Sequence, residues 1–272
     1  MTPYAAPRLV GDIGSCYFYH RMELPGVGLV GGQWDLRRTI EAYLAGFQFA
    51  GKRVLDVGAA SGFPSFEMER RGAEVVSFDM SPDGRWDIVP IAGMDLDAAV
   101  MHKRSSWEAL TNAYWFAHAA LRSRAKVFYG DIYTLPETLG TFDVAFLGSV
   151  LLHLQNPFES LRSAARRTRD ALIVTEPAYP AAGAQMEFMP TRVGPVDTWW
   201  RLSEGCVSQM MNVLGFDIAA VTHSRHTLAD EQNPRTFEFF SVVGRRVVPG
   251  ADSPFPLGDR GHHAEQGIEA QK

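Results

Sequence analysis

The sequence predicts an α/β fold: a doubly wound, seven-stranded, mostly parallel sheet with helices on both faces. Three observations lead there. From Arg53 onward, short apolar runs alternate with segments of helical period, the signature of repeated βα units. The first of these runs, Arg53-Val-Leu-Asp-Val-Gly58, is apolar enough for a strand covered on both faces. The 272 residues are 46% hydrophobic and 21% charged, a composition that can bury a full α/β core and excludes a disordered chain.

The elements follow in order. After the first strand, Ser65 to Arg71 reads as a short helix closed by Gly72, and Glu74-Val-Val-Ser-Phe-Asp79 as the second strand. A less regular stretch from Ser81 to Arg104 leads into a helix on which Trp107, Leu110, Tyr114, Ala117 and Leu121 recur at helical spacing as core positions. Lys126 to Asp131 is the third strand and Phe142 to Val150 the fourth. Asn156-Pro-Phe-Glu159 then combines an N-cap, a first-turn proline and a capping-box glutamate, so a helix runs to about Thr168. Ala171 to Pro177 is the fifth strand. Ser203 caps a helix to Leu214, ended by Gly215, and Phe216 to Thr222 and Thr236 to Arg246 close the sheet as an antiparallel pair. Residues 51–248 thus form the main domain, residues 1–50 a segment that contributes to its pocket, and residues 249–272 a disordered tail.

The chemistry is expected at the carboxyl ends of the strands, where ligands of open α/β sheets bind. The first strand runs into Gly58-Ala-Ala-Ser-Gly62, a turn of small residues that lets a ligand approach the backbone. A nicotinamide fingerprint would need glycines where Ala60 and Phe63 stand. Asp79, about twenty residues on, ends the second strand with a carboxylate that can accept from both hydroxyls of a ribose.

The spacing of Asp56, Gly58, Ala60 and Gly62 resembles the first motif of class I methyltransferases. The resemblance implies that S-adenosylmethionine is the cofactor and that this turn holds its amino-acid half. It further implies a ribose contact at Asp79 beside Met80, an adenine site at Asp131 and Ile132, and a sulfur-end lining from Gly148 and Ser149. The run Phe142-Asp-Val-Ala-Phe-Leu-Gly-Ser-Val-Leu-Leu-His-Leu-Gln-Asn-Pro-Phe-Glu-Ser-Leu161, with Gly31-Gly-Gln-Trp-Asp35 upstream, is similar to the tRNA wobble-uridine carboxymethyltransferase branch, which adds Gln33 and Trp34 to the cofactor set. Members using a carboxylated cofactor carry tyrosine before the strand-four histidine. Here Leu152 precedes His153, which favours ordinary S-adenosylmethionine.

Methyl transfer is an in-line displacement, so alignment supplies much of the acceleration and a base is needed only if the acceptor must lose a proton. His153 and Glu176, at the ends of the fourth and fifth strands, are the candidate catalytic groups, each with a packing or capping role as the plain alternative. The connection from Ala178 to Ser203 carries Tyr179, Met186, Phe188, Met189, Trp199 and Trp200 and is expected either to roof an acceptor pocket or to pack the last helix. Tyr17-Phe-Tyr-His20 and Gln33-Trp34 form the opposite wall or further core.

The expected reaction is methyl transfer to a small molecule, with oxygen preferred over nitrogen. The alternatives are a tRNA-modifying enzyme and a non-catalytic S-adenosylmethionine-binding protein. A formal net charge of −5 argues against a mainly nucleic-acid-binding surface, and Arg162, Arg166, Arg167 and Arg169 read first as a solvated helix face. The two cysteines, Cys16 and Cys206, form no disulfide framework, and His262-His263 no metal site. No segment has the length of a signal peptide or a membrane span, so a cytoplasmic enzyme is expected.

Overall fold

The computed structural model describes residues 3–84, 86–229 and 234–247. The expected tail beyond Pro249, with His262 and His263, lies outside the described residues. In chain order the elements are β1 (Met22–Leu24), β2 (Gly28–Val30), β3 (Trp34–Asp35), α1 (Ile40–Tyr43), β4 (Arg53–Val57), α2 (Phe63–Arg70), β5 (Glu74–Met80) and α3 (Leu96–Ala120). They continue with β6 (Lys126–Gly130), β7 (Phe142–Gly148), α4 (Pro157–Arg167), β8 (Thr168–Pro177), β9 (Met186–Phe188), β10 (Trp200–Leu202), α5 (Glu204–Val213), β11 (Phe216–Leu228) and β12 (Arg235–Arg246).

The main sheet has the order β3-β11-β12-β8-β7-β4-β5-β6. Strands β8, β7, β4, β5 and β6 pair in parallel, β12 returns antiparallel to β8, and β11 antiparallel to β12. The chain leaves β4 outward through β5 and β6, then crosses back to β7 on the other flank of β4. The switch point therefore lies at the carboxyl ends of β4 and β7.

Alternation along the buried strands explains why both faces carry helices. Val54, Val75, Val144 and Ile173 point into one core with Phe63, Phe66, Tyr114 and Ala117 of α2 and α3. Their neighbours Leu55, Val76, Ala145 and Leu172 point into the other, with Leu161, Ala164, Val207 and Met211 of α4 and α5. Both caps expected from the sequence are present: Asn156 accepts from the Glu159 amide at 3.2 Å and Ser203 from the Cys206 amide at 3.2 Å. The capping box is not completed, because Glu159 instead pairs with Arg162 and the Asn156 N–H donates to the Tyr133 hydroxyl.

Three expectations need correction. The sheet has eight strands, not seven, because Trp34 and Asp35 of the N-terminal segment pair antiparallel with Leu228 and Thr227. Helix α3 begins at Leu96, inside the stretch expected to be irregular, because the Asp95 side chain caps it by accepting from the Ala98 amide at 2.9 Å. Strand β11 runs on past Thr222 to Leu228, its second half largely polar and supported by the pairing with β12 and β3. Within the 178–203 connection, β9 and β10 form an antiparallel pair.

Candidate active site

The turn after β4 is built by backbone geometry. Gly58 and Gly62 have φ of 77° and 89°, and a Cβ on Gly58 would come within 2.5 Å of Val150 Cγ2, one on Gly62 within 2.6 Å of the Phe66 ring. Only glycine satisfies both conditions there. Ala60 and, after β7, Ser149 are also left-handed, at φ 51° and 54°, so the two turns flanking the switch point each hold a strained non-glycine residue.

Asp79 ties the end of β5 to the turn after β4. Its carboxylate accepts from the Ala60 amide at 2.9 Å and from the Met80 amide at 2.8 Å, and burial pushes its pKa up to about 6. Each oxygen keeps acceptor capacity beyond these single bonds. Asp79 and Ala60 share a small crevice with Ala59, Ser77, Thr111, Tyr114, Val127 and Tyr129. Asp131 and Ile132 lie at the end of β6, where Asp131 is exposed and accepts from the Tyr133 amide at 2.8 Å. Gly148 ends β7 and half-buried Ser149 follows it, and the Ser149 hydroxyl meets that of Tyr43 at 3.3 Å.

Asp56 sits differently. It is 1% exposed, and its carboxylate accepts from the Ser65 hydroxyl, which in turn meets Ser77 at 2.7 Å, with Tyr114 joined to Ser77 at 2.7 Å. Burial raises its pKa to about 7. The motif acid thus locks β4 to α2 and α3 from inside. Gln33 is exposed, and its backbone carbonyl accepts from the Ala229 amide at 2.6 Å. Trp34 is half-buried in β3, its ring against Phe237 and Phe239 and its indole N–H on the Tyr19 hydroxyl at 3.1 Å.

The N-terminal segment is fastened to the first turn by Ser61, which is fully buried and accepts from the amides of Tyr19 and His20 at 3.1 and 3.2 Å. Burial pushes the Tyr19 phenol up to about 12. Ser61, Tyr19 and Tyr43 were not singled out individually from the sequence. A lone serine or tyrosine carries no local signal of a partner more than forty residues away.

Glu176, 1% exposed at the end of β8, accepts from the Val150 and Leu151 amides at 3.0 and 2.8 Å. Its second oxygen, Oε2, is buried without a protein partner. Burial raises its pKa to about 8, so the neutral acid predominates at pH 7. The turn it holds, Leu151–His153, carries His153, whose Nδ1 donates to the Asp197 carbonyl. A carbonyl only accepts, so Nδ1 bears the proton and the lone pair is on Nε2. Burial lowers the His153 pKa and keeps the ring neutral.

The 178–203 connection closes over this edge. Trp199 is 7% exposed, its amide donates to the Leu152 carbonyl at 2.8 Å and its indole N–H to the Asp87 carbonyl at 2.9 Å. Trp200 packs against the core shared with α4 and α5. Trp199 belongs to neither core cluster, whereas Met186 and Phe188 are exposed. A depression of about 530 Å³ lies between α2, the end of α3 and the N-terminal segment, and Arg70 and Arg124 in its lining are paired with Glu67 and Glu69. Three of the four arginines singled out around α4 are likewise engaged: Arg162 with Glu159, Arg167 with Glu137 and Arg169 with Asp143.

Comparison with known proteins agrees with this geometry. A methyltransferase domain family matches residues 33–220. The chain is 40% identical over 63 residues to a ubiquinone biosynthesis O-methyltransferase of Hahella chejuensis, covering 23% of this chain and 26% of that one. It is 29% identical over 115 residues to a tRNA U34 carboxymethyltransferase of Psychrobacter cryohalolentis, covering 41% and 28%. These matches therefore span little more than a quarter of either relative. In fold, a putative RNA methyltransferase from Pyrococcus horikoshii superposes with a TM-score of 0.51 at 14% identity, over 78% of this chain and 85% of that one. The N-terminal domain of EvdMO1 does so with 0.50 at 17%, over 85% and 91%. The chain belongs to this methyltransferase domain family.

Proposed function

We propose that this protein is a class I methyltransferase that transfers the methyl group of S-adenosylmethionine to a hydroxyl of a small-molecule acceptor, with His153 as general base. The observation that carries the reading is the bond from His153 Nδ1 to the Asp197 carbonyl, which leaves a neutral imidazole with its basic nitrogen available at the end of β7. The strand-end residues suit the donor. Gly58 and Gly62 leave no room for side chains, and Asp79 retains free acceptor capacity where ribose hydroxyls require it. In this reading Ala60, Met80, Ile132, Asp131, Gly148 and Ser149 line the donor, and Asp56 supports the turn from below.

When bound, S-adenosylmethionine supplies a methyl carbon activated by its sulfonium. The chain's part is alignment and proton transfer. Tyr19, Trp34 and Trp199 wall the acceptor and exclude water, and His153 Nε2 takes the hydroxyl proton as the oxygen attacks. Glu176 holds the turn that carries His153. Residues 1–50 belong to this wall.

The weak likeness to a tRNA enzyme supports a second substrate class, but pairing of Arg162, Arg167 and Arg169 with this chain's own carboxylates and the net charge of −5 weigh against it. The test is turnover of radiolabelled S-adenosylmethionine with phenolic and aliphatic hydroxy acceptors, amines and bulk tRNA. Product from hydroxy compounds alone supports the proposal, and label in tRNA or amines alone defeats it.

A further inference from the structure

Asp197 joins His153 to a second element through its two ends. Its backbone carbonyl accepts the His153 Nδ1–H, and its carboxylate accepts from Lys103 Nζ in α3. Lys103 belongs to the amino-terminal half of α3, where Leu96 and Met101 are 46% and 66% exposed. The buried residues of that helix lie in the other half, from Thr111 to His118. On either side of Asp197 the connection is fixed only by backbone and indole bonds, Val89 N–H to the Val196 carbonyl at 2.8 Å and Trp199 to Leu152 and Asp87. At Asp197 itself, the ion pair with Lys103 is the charged anchor.

We propose that Lys103 is a positioning residue for His153: by holding the Asp197 carboxylate it fixes the carbonyl that selects the Nδ1–H tautomer and aims Nε2 at the acceptor. The idea rests on the general-base reading of His153. The charged and titratable groups around the imidazole are Lys103 from α3 and Asp197 from the connection. Glu176 of β8 lies beneath the turn, and Asp87 accepts from the Gln155 amide two residues on, with Tyr133 donating to Asp87. Among them only Asp197 bonds the ring, and Lys103 is its charged partner.

Simple charge effects and positioning predict different results. Lys103⁺ lowers the His153 pKa and the Asp197 charge raises it, so Lys103→Met and Asp197→Asn shift its titration in opposite directions if charge alone matters. Positioning predicts the same defect in both. The experiment is long-range ¹H–¹⁵N NMR of the histidines in the full chain, with His153 assigned by its loss in His153→Ala, alongside kcat, KM and donor affinity.

Expected are a single Nδ1–H tautomer in the native protein and in Lys103→Arg, and mixed tautomers in both Lys103→Met and Asp197→Asn. Their kcat should fall ~5-fold, the scale of one half-exposed ion pair, with donor affinity unchanged and the double variant no worse than either single one. An unchanged tautomer in Lys103→Met, or strictly additive effects, overturns the proposal. If His153→Ala turns over normally, the base reading fails, and the tautomer populations still decide whether Lys103 positions the ring.

Discussion

The Asp79 carboxylate accepts a hydrogen bond from the Ala60 amide at 2.9 Å, so the acid at the end of β5 and the strained turn after β4 form one unit. If that unit holds the donor's ribose, Asp79→Ala removes a charged acceptor for its hydroxyls and loosens the turn as well. Donor binding should weaken by ~1–3 kcal/mol, about 5- to 150-fold, measured by calorimetric titration with S-adenosylmethionine and S-adenosylhomocysteine. Equal affinity in the variant removes Asp79 from the site.

His153 acts, in the proposed reaction, only while unprotonated. Burial lowers its pKa below the ordinary 6.5, so the acid limb of a kcat profile should fall below that value, with activity rising as pH increases through it. His153→Ala should lower kcat by ~100-fold or more at nearly unchanged donor affinity, and abolish the limb. A near-normal rate with the limb intact assigns His153 to packing of the Leu151–His153 turn.

The sheet and the turns at its strand ends were legible because they depend on local pattern: apolar runs of strand length, glycines at strand ends, a carboxylate closing β5. The opposite wall depends on contacts distant in sequence. Ser61 meets Tyr19 across 42 residues, Lys103 meets Asp197 across 94, and Trp34 reaches β11 to add the eighth strand. The amino half of α3 was missed because an exposed helix has no apolar stripe, although Asp95 three residues before Ala98 was a readable cap. The end of β11 was missed for the same reason, its outer residues being polar and its partner strands remote. Asp56 shows the converse: the spacing located it, while its bond to Ser65 could be seen only after α2 was folded over β4.

Glu176 makes stability depend on pH. Its folded-state pKa is raised to about 8 from the ordinary 4.5, so the folded state holds the proton more tightly than the unfolded chain. That contribution is complete below pH 4.5 and is lost as pH rises through 8, and Asp56 and Asp79, raised to about 7 and 6, act in the same direction. Glu176→Gln keeps the acceptor for Val150 and Leu151 but cannot ionise. Thermal unfolding should therefore show the native protein losing stability between pH 4.5 and 8, and the variant losing less, by a difference on the order of a few kcal/mol at pH 8. Parallel curves for the two proteins would mean that Glu176 is ionised throughout.

Trp199 separates the two readings of the 178–203 connection. Its ring is almost fully covered yet lies in neither core, and its indole N–H and amide both bind loops at the strand ends. A roof over the acceptor predicts that Trp199→Ala raises acceptor KM with donor affinity intact and with only the modest loss of stability expected when a loop contact is removed. A core residue predicts the reverse: a loss of ~3–5 kcal/mol in denaturant unfolding and an acceptor KM that is unchanged in the fraction still folded. The second outcome would leave the acceptor site open above His153 and move the search for specificity to Tyr19 and Trp34 on the opposite wall.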